Sequence, residues 1–141
     1  MDQIAQSIAG AQLPIYIIGA GGIVNAAHLP AYQLAGFNVQ GICDLIPENA
    51  LNTAKKFNIP HVFADIPAML QQLPANAIID LAVPAASMLT ILEQLPPKSI
   101  VLLQKPMGEN LNEATKILQI ARDKMLIAAV NFQMRYAGFI L

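Results

Sequence analysis

The stretch "PIYIIGAGGIVNAAHLP", Pro14–Pro30, sets three glycines (Gly19, Gly21 and Gly22) within four positions directly after the short apolar run Ile15–Ile18. Isoleucine and tyrosine favour a strand. The residues from Ile23 to Leu34 space their apolar side chains as a helix does, so the glycines fall where a strand hands over to a helix. Gly19 permits a tight turn there, and Gly21 removes the Cβ that would keep backbone away from a bound group. The open N–H groups at Gly22 and Ile23, with the positive end of the helix dipole, suit a phosphate or pyrophosphate. A G-x-G-x-x-G fingerprint is incomplete, because its third glycine is Val24. The helix must kink or restart near Pro30, whose ring clashes with the carbonyl four residues earlier.

The same alternation continues down the chain. "FNVQGICD" (37–44) reads as a second strand and "PENALNTAKKF" (47–57) as a second helix, with Pro47 suited to its first turn. A short strand "HVF" (61–63) and a short helix "IPAMLQQL" (66–73) follow. Next come an apolar strand "AIIDLAV" (77–83), a helix from 85 to 95, the strand "SIVLLQ" (99–104), a helix over 111–124 and the strand "LIAAVNF" (126–132). In the last helix Leu111, Thr115, Leu118 and Arg122 share a stripe. Strands apolar on both faces belong to parallel sheets covered by helices, so the expected fold is α/β: a doubly wound parallel sheet of about six strands with helices on both faces. Residues 1–13 read as a capping segment ahead of it.

Asp44 closes the second strand about 20 residues past the glycine turn, where an acid accepts hydrogen bonds from an adenosine ribose. The order strand, glycine turn, helix, strand, acid therefore points to a dinucleotide, and the carboxylate favours NAD over NADP because it repels a 2′-phosphate. The other reading of Asp44 is a cap on the following helix.

Composition removes several classes of function. Among 141 residues, 55% are hydrophobic and 12% charged, and the formal net charge is −1. No basic cluster offers a nucleic acid or an anionic membrane a footing. The charge-poor stretch from Gln3 to Cys43 is interrupted by Pro14, Pro30 and glycines, so it lacks the run of about 20 apolar residues that a span needs. Cys43 stands alone, which argues against a disulfide framework or a thiolate metal site and for a cytoplasmic setting. Average domains are about a quarter charged. The deficit here is explained either by a large buried sheet or by surface that packs against something else. His28 and His61 pair with no Ser, Asp or Cys at a recognisable catalytic spacing, and Asp65, Asp80 and Asp123 occupy ordinary loop, strand and helix-end contexts.

Taken in order, "GAGGIVNAAHLPA", "ICD", "LAVPAA", "LLQKPMGENLNEA" and "NFQMRY" resemble the N-terminal NAD(P)-binding Rossmann domain of the Gfo/Idh/MocA oxidoreductases, the glucose-fructose oxidoreductase and inositol dehydrogenase family. The likeness runs from about Ile15 to Tyr136. It implies a dinucleotide-binding domain over 14–132, with Gly19, Gly21, Gly22, Ile23, Asp44, Pro84 and Lys105 at the cofactor. It also implies that Lys105, in the family's E-K-P motif, lies near nicotinamide and substrate as a catalytic residue. Gln104 stands where that motif has its glutamate. Without the resemblance, Lys105 reads as a solvated loop lysine and Pro84 as a helix start. In the family's T-P-x-x-x-H turn only Pro84 is kept, Val83 and Met88 replacing the other two. Asn131 and Arg135 match an N-x-x-x-R segment leading toward the substrate, or serve as caps or domain bridges. His28 falls in a stretch the family shares and is read as structural or near the cofactor.

The resemblance further implies a second α/β domain carrying a catalytic histidine and most of the substrate pocket, so residues 133–141 read as the start of a linker and the chain as truncated before that domain. The expected function is hydride transfer between NAD and a sugar, polyol or related hydroxy compound, with the isolated chain inactive and the full-length form a homo-oligomer. A non-catalytic NAD-binding or sensing module is the alternative. A class I methyltransferase binding S-adenosylmethionine is a third reading, against which Lys105-Pro106 and a sixth parallel strand weigh.

Overall fold

A computed structural model describes residues 13–132. The expected capping segment lies outside the described residues except for Leu13, as do Arg135 and the tail "YAGFIL". Six strands form one parallel sheet: β1 (Ile15–Ile18), β2 (Val39–Cys43), β3 (His61–Val62), β4 (Ile78–Leu81), β5 (Ile100–Gln104) and β6 (Ile127–Asn131). Their order across the sheet is β3-β2-β1-β4-β5-β6. The chain therefore reverses its winding between β1 and β4, and ligands of such sheets bind at the carboxyl ends of the strands beside that reversal.

Side chains alternate across the sheet with the period of two that pleating imposes. Tyr16, Ile18, Ile79, Leu81, Val101 and Leu103 face one layer, where Met69 of α3 (Ile66–Gln71), Met88 and Leu92 of α4 (Ala85–Gln94) and Ile117 of α5 (Leu111–Asp123) cover them. Ile15, Ile17 and Ile42 face the other, under Leu29 of α1 (Leu29–Leu34) and Ala50 and Ala54 of α2 (Pro47–Phe57). Each of the fully buried Leu and Ile side chains contributes about 1.5–3 kcal/mol by leaving water. In α2 the buried Ala50, Thr53 and Ala54 share one helical face, and Asn58, with φ 57°, ends the helix in the left-handed conformation. Lys124, just past α5, donates from Nζ to the carbonyls of Leu92 (3.2 Å) and Leu95 (2.8 Å), which closes the carboxyl end of α4.

The helix over Pro30 neither breaks nor runs straight through. Val24–His28 forms a π turn, with the Leu29 N–H donating to the Val24 carbonyl, and the α-helical hydrogen bonding resumes at Leu29. Pro30 thus follows directly on the π turn, at the point where α-helical bonding resumes. The stripe of Leu111, Thr115, Leu118 and Arg122 lies on the outer side of α5. Leu111 is 83% exposed and Leu118 is exposed as well, while Ile117 is buried and Ile120 packs against the core beside it. The core holds apolar residues at the neighbouring helical phase, where Ala114, Ile117 and Ala121 are less exposed.

β6 differs from the inner strands in leaving apolar side chains exposed. Among the described residues it is an edge strand paired only with β5, and Ile127 (65%) and, just past the strand, Phe132 (56%) are exposed. Low charge is thus absorbed partly by the core and partly by apolar side chains left on this edge. Such an edge favours association between copies. Ile127→Lys combined with Phe132→Asp is expected to lower self-association while keeping the far-ultraviolet circular dichroism of the parent. Sedimentation velocity over a range of concentrations checks this, and a parent chain that stays monomeric throughout would remove its basis.

Candidate dinucleotide site

A cavity of about 740 Å³ opens at the carboxyl ends of β1, β2 and β4. Gly19, Gly21, Asp44 and Pro84 line it, with Asp65 and Ser87 among the polar residues around them. Gly22, Ile23 and Lys105 do not line it. Gly22 and Ile23 begin the helix beside it, and Lys105 is exposed just past β5, toward the other half of the sheet.

The glycines of the turn have different jobs. Gly19 has φ +105°, and a Cβ there would meet the Ala82 carbonyl closer than real Cβ atoms come, so β1 and the β4 loop leave no room for a side chain. At Gly21 and Gly22 a Cβ would meet nothing within 4 Å. Those two face open space, which is what close approach of a bound group to the backbone requires. No side chain caps the start of the π turn, so the first-turn N–H groups have no side-chain acceptor there.

Asp44 fastens the turn from below. Its Oδ2 accepts from the Ala20 N–H at 2.6 Å and its Oδ1 from the Ile46 N–H at 2.8 Å. Asp44 does not act as the helix N-cap weighed from sequence; Ile46 holds that position without a side-chain cap. Asn25, which the sequence reading passed over, fastens the turn from above: its Nδ2 donates to the carbonyls of Ala20 (3.0 Å) and Gly21 (3.2 Å) and to Thr53 Oγ1 (3.0 Å). Asp65 is more than a loop residue, since it caps α3 by accepting from the Ala68 N–H at 2.7 Å. Burial, then the nearby charges of Asp44 and Asp65, push the Cys43 thiol up to about 12, so it stays protonated at neutral pH and offers no thiolate.

His28 and Asp80 meet, against the sequence reading that His28 had no catalytic-type partner and that Asp80 was ordinary. His28 Nδ1 lies 2.7 Å from Asp80 Oδ2, and the Tyr32 hydroxyl donates to the same oxygen at 2.8 Å. His28 Nε2 lies 2.8 Å from Gln104 Nε2, and Gln104 Oε1 accepts from the Lys105 N–H at 2.8 Å. His28, Asp80 and Gln104 are all buried. Burial and Asp80 hold the Tyr32 hydroxyl well above its usual range, which keeps it a donor. Residues 28, 80 and 104 are too far apart for spacing to reveal the cluster; one signal was a lone acid within the apolar strand "AIIDLAV". His61 is exposed on β3 and Met88 is buried in the core, so neither reaches the cavity. Asn131 lies opposite Gln104 on β6. Among the described residues no cluster of His, Cys, Asp or Glu could hold a metal, and no helix is long and apolar enough to cross a membrane.

The family described as an oxidoreductase family with an NAD-binding Rossmann fold, GFO_IDH_MocA, matches residues 13–132. The YceM protein of Salmonella typhimurium is 32% identical over 126 residues, covering 89% of this chain and 40% of YceM. The WlbA dehydrogenase of Chromobacterium violaceum, solved with NADH and UDP-GlcNAcA, superposes with a TM-score of 0.78 at 20% identity over 92% of this chain and 37% of its own. A variant of KijD10, a 3-ketoreductase from Actinomadura kijaniata solved with TDP-benzene and NADP, gives 0.71 at 21% identity over 88% and 38%. The chain spans about two fifths of the length of these proteins.

Proposed function

The chain belongs to the Gfo/Idh/MocA family of oxidoreductases with an NAD-binding Rossmann fold, and on that premise we propose that the cavity at the carboxyl ends of β1, β2 and β4 binds NAD for hydride exchange with a sugar, polyol or related hydroxy compound. The observation that carries this reading is the contrast within the glycine turn: Gly19 is packed against Ala82, while Gly21 and Gly22 face open space beside an uncapped helix start. Gly19, Gly21, Gly22 and Ile23 would hold the pyrophosphate, Asp44 the adenosine ribose, and Pro84 the wall of the cavity. Bound there, the nicotinamide supplies the hydride acceptor or donor. Lys105, exposed at the end of β5, would orient a substrate hydroxyl and lower its pKa as charge develops on that oxygen. The preference for NAD over NADP rests on the charge of Asp44. The sugar or polyol class is supported by the nucleotide-sugar ligand of the WlbA structure, and the lone buried Cys43 suits a cytoplasmic setting. The methyltransferase reading falls with the family assignment and with β6 parallel to β5.

Hydride transfer needs a substrate fixed against the nicotinamide and a general acid or base. Among the described residues Lys105 is the group this reading assigns to that part. The 141-residue chain is therefore expected to bind NADH saturably and to show no polyol-dependent reduction of NAD. Fluorescence titration with NADH and an absorbance assay at the nicotinamide band check the two halves. Absence of saturable binding overturns the cofactor site, and steady turnover by homogeneous protein overturns the division of labour.

A further inference from the structure

The hydrogen bonds that join β4, the π turn and β5 have a fixed direction. A backbone N–H only donates, so the Lys105 amide obliges the Gln104 side chain to present Oε1 to it. The other end of that amide, Nε2, then faces His28 and also donates. His28 Nε2 must accept, which leaves the ring proton on Nδ1, and Nδ1 faces Asp80 Oδ2. The Tyr32 hydroxyl donates to the same carboxylate oxygen. Every donor thus points toward Asp80, and the carboxylate ends the chain. Asp80 Oδ1 has no partner. A buried carboxylate so sparsely served is a poor source of stability by itself.

We propose that Asp80 and Gln104 form a matched pair that holds His28 as the neutral Nδ1–H tautomer, with all three serving as positioning residues for the backbone of Lys105. An ionised glutamate at position 104 accepts only, so His28 Nε2 would then carry a proton as well, giving an imidazolium between two buried carboxylates. Asp80 on β4, Tyr32 on α1 and Gln104 on β5 are the groups that face the ring. An acid at 80 is therefore compatible with an amide at 104, and an acid at 104 calls for a neutral group at 80. The consequence for substrate orientation rests on the reading of Lys105 given above, whereas the tautomer does not.

The test uses the whole chain without cofactor. Long-range proton–nitrogen correlation spectra of the imidazoles are expected to show His28 with Nδ1 protonated and Nε2 bare at neutral pH. Gln104→Glu is expected to give His28 two protonated ring nitrogens, lower the thermal midpoint and shift the Lys105 amide resonance. Adding Asp80→Asn should recover most of the lost midpoint. Gln104→Ala, which removes the acceptor for that amide, should speed Lys105 amide exchange at least tenfold while Gln40→Ala leaves it unchanged. A wild-type His28 protonated on Nε2 overturns the proposal, as do strictly additive effects of the two substitutions or a Lys105 amide indifferent to Gln104. Because none of these readouts involves NADH, failure of the cofactor site would leave them standing and is seen separately by titration.

Discussion

Gly21→Val is expected to leave the far-ultraviolet circular dichroism and thermal midpoint of the chain nearly unchanged while weakening NADH at least about a hundredfold, about 2.7 kcal/mol. A Cβ at this position meets nothing within 4 Å, so the folded chain accommodates the new side chain, but it projects beside the cavity that Gly21 lines. Gly19→Ala is expected to do the reverse damage first. Its φ of +105° costs a side chain about 1–3 kcal/mol, and the added methyl also runs into the Ala82 carbonyl. A domain stabilised by about 5–15 kcal/mol then loses a large fraction of its margin. A fall of the thermal midpoint by about 10 °C or more is expected. Thermal melts and NADH titrations of both variants check the pair. Retained NADH affinity in a folded Gly21→Val chain would show that the phosphate lies elsewhere.

Asp44→Ala should affect two things that separate cleanly. The substitution strips the Ala20 and Ile46 amides of their acceptor, and each bond to a charged group contributes about 1.5–3 kcal/mol, so the melting point should fall. If the carboxylate also meets the ribose, NADH affinity drops about tenfold or more, while NADPH, no longer opposed by its charge, loses less or gains. The ratio of the two dissociation constants is the discriminating measurement, because loosening the turn weakens both cofactors alike. A ratio unchanged by the substitution makes Asp44 a fastener of the glycine turn and nothing more.

The features legible in the sequence are those written in local chemistry. Ile15–Ile18 and Ile100–Gln104 announce themselves as strands because both faces are covered and nearly every residue is apolar. Pro47 marks the start of α2 because only a first turn tolerates it. The glycine turn was legible for the same reason: a positive φ at position 19 admits little else. What escaped was written across the chain instead. His28, Asp80 and Gln104 come from three elements and acquire their meaning only when the sheet brings β4 beside β5 under the π turn. Asn25 looked like any polar helical residue until its position above the Ala20 carbonyl was known. In α5 helical spacing identified a stripe without saying which way it turns, and Leu111 and Leu118 lie on the outer side.

The π turn at Val24–His28 acts as a vernier between the two ends of its helix. One residue of α-helix is about 100° of rotation, so the extra residue lets the glycine end keep its aim along the sheet while His28 and Leu29 keep theirs toward it. Length in this helix is therefore a functional quantity. Surface helices absorb many substitutions at exposed alanines, and Ala26 and Ala27 are both exposed. Deleting either would remove nothing from the core and no hydrogen-bonding side chain. It would turn the five-residue bond from the Leu29 N–H to the Val24 carbonyl into an ordinary α-helical one and leave both ends in phase, whereas inserting a residue there would turn His28 away from Asp80 or the glycine turn away from its cavity. Point changes and one-residue insertions at the same two alanines should thus behave as different kinds of lesion.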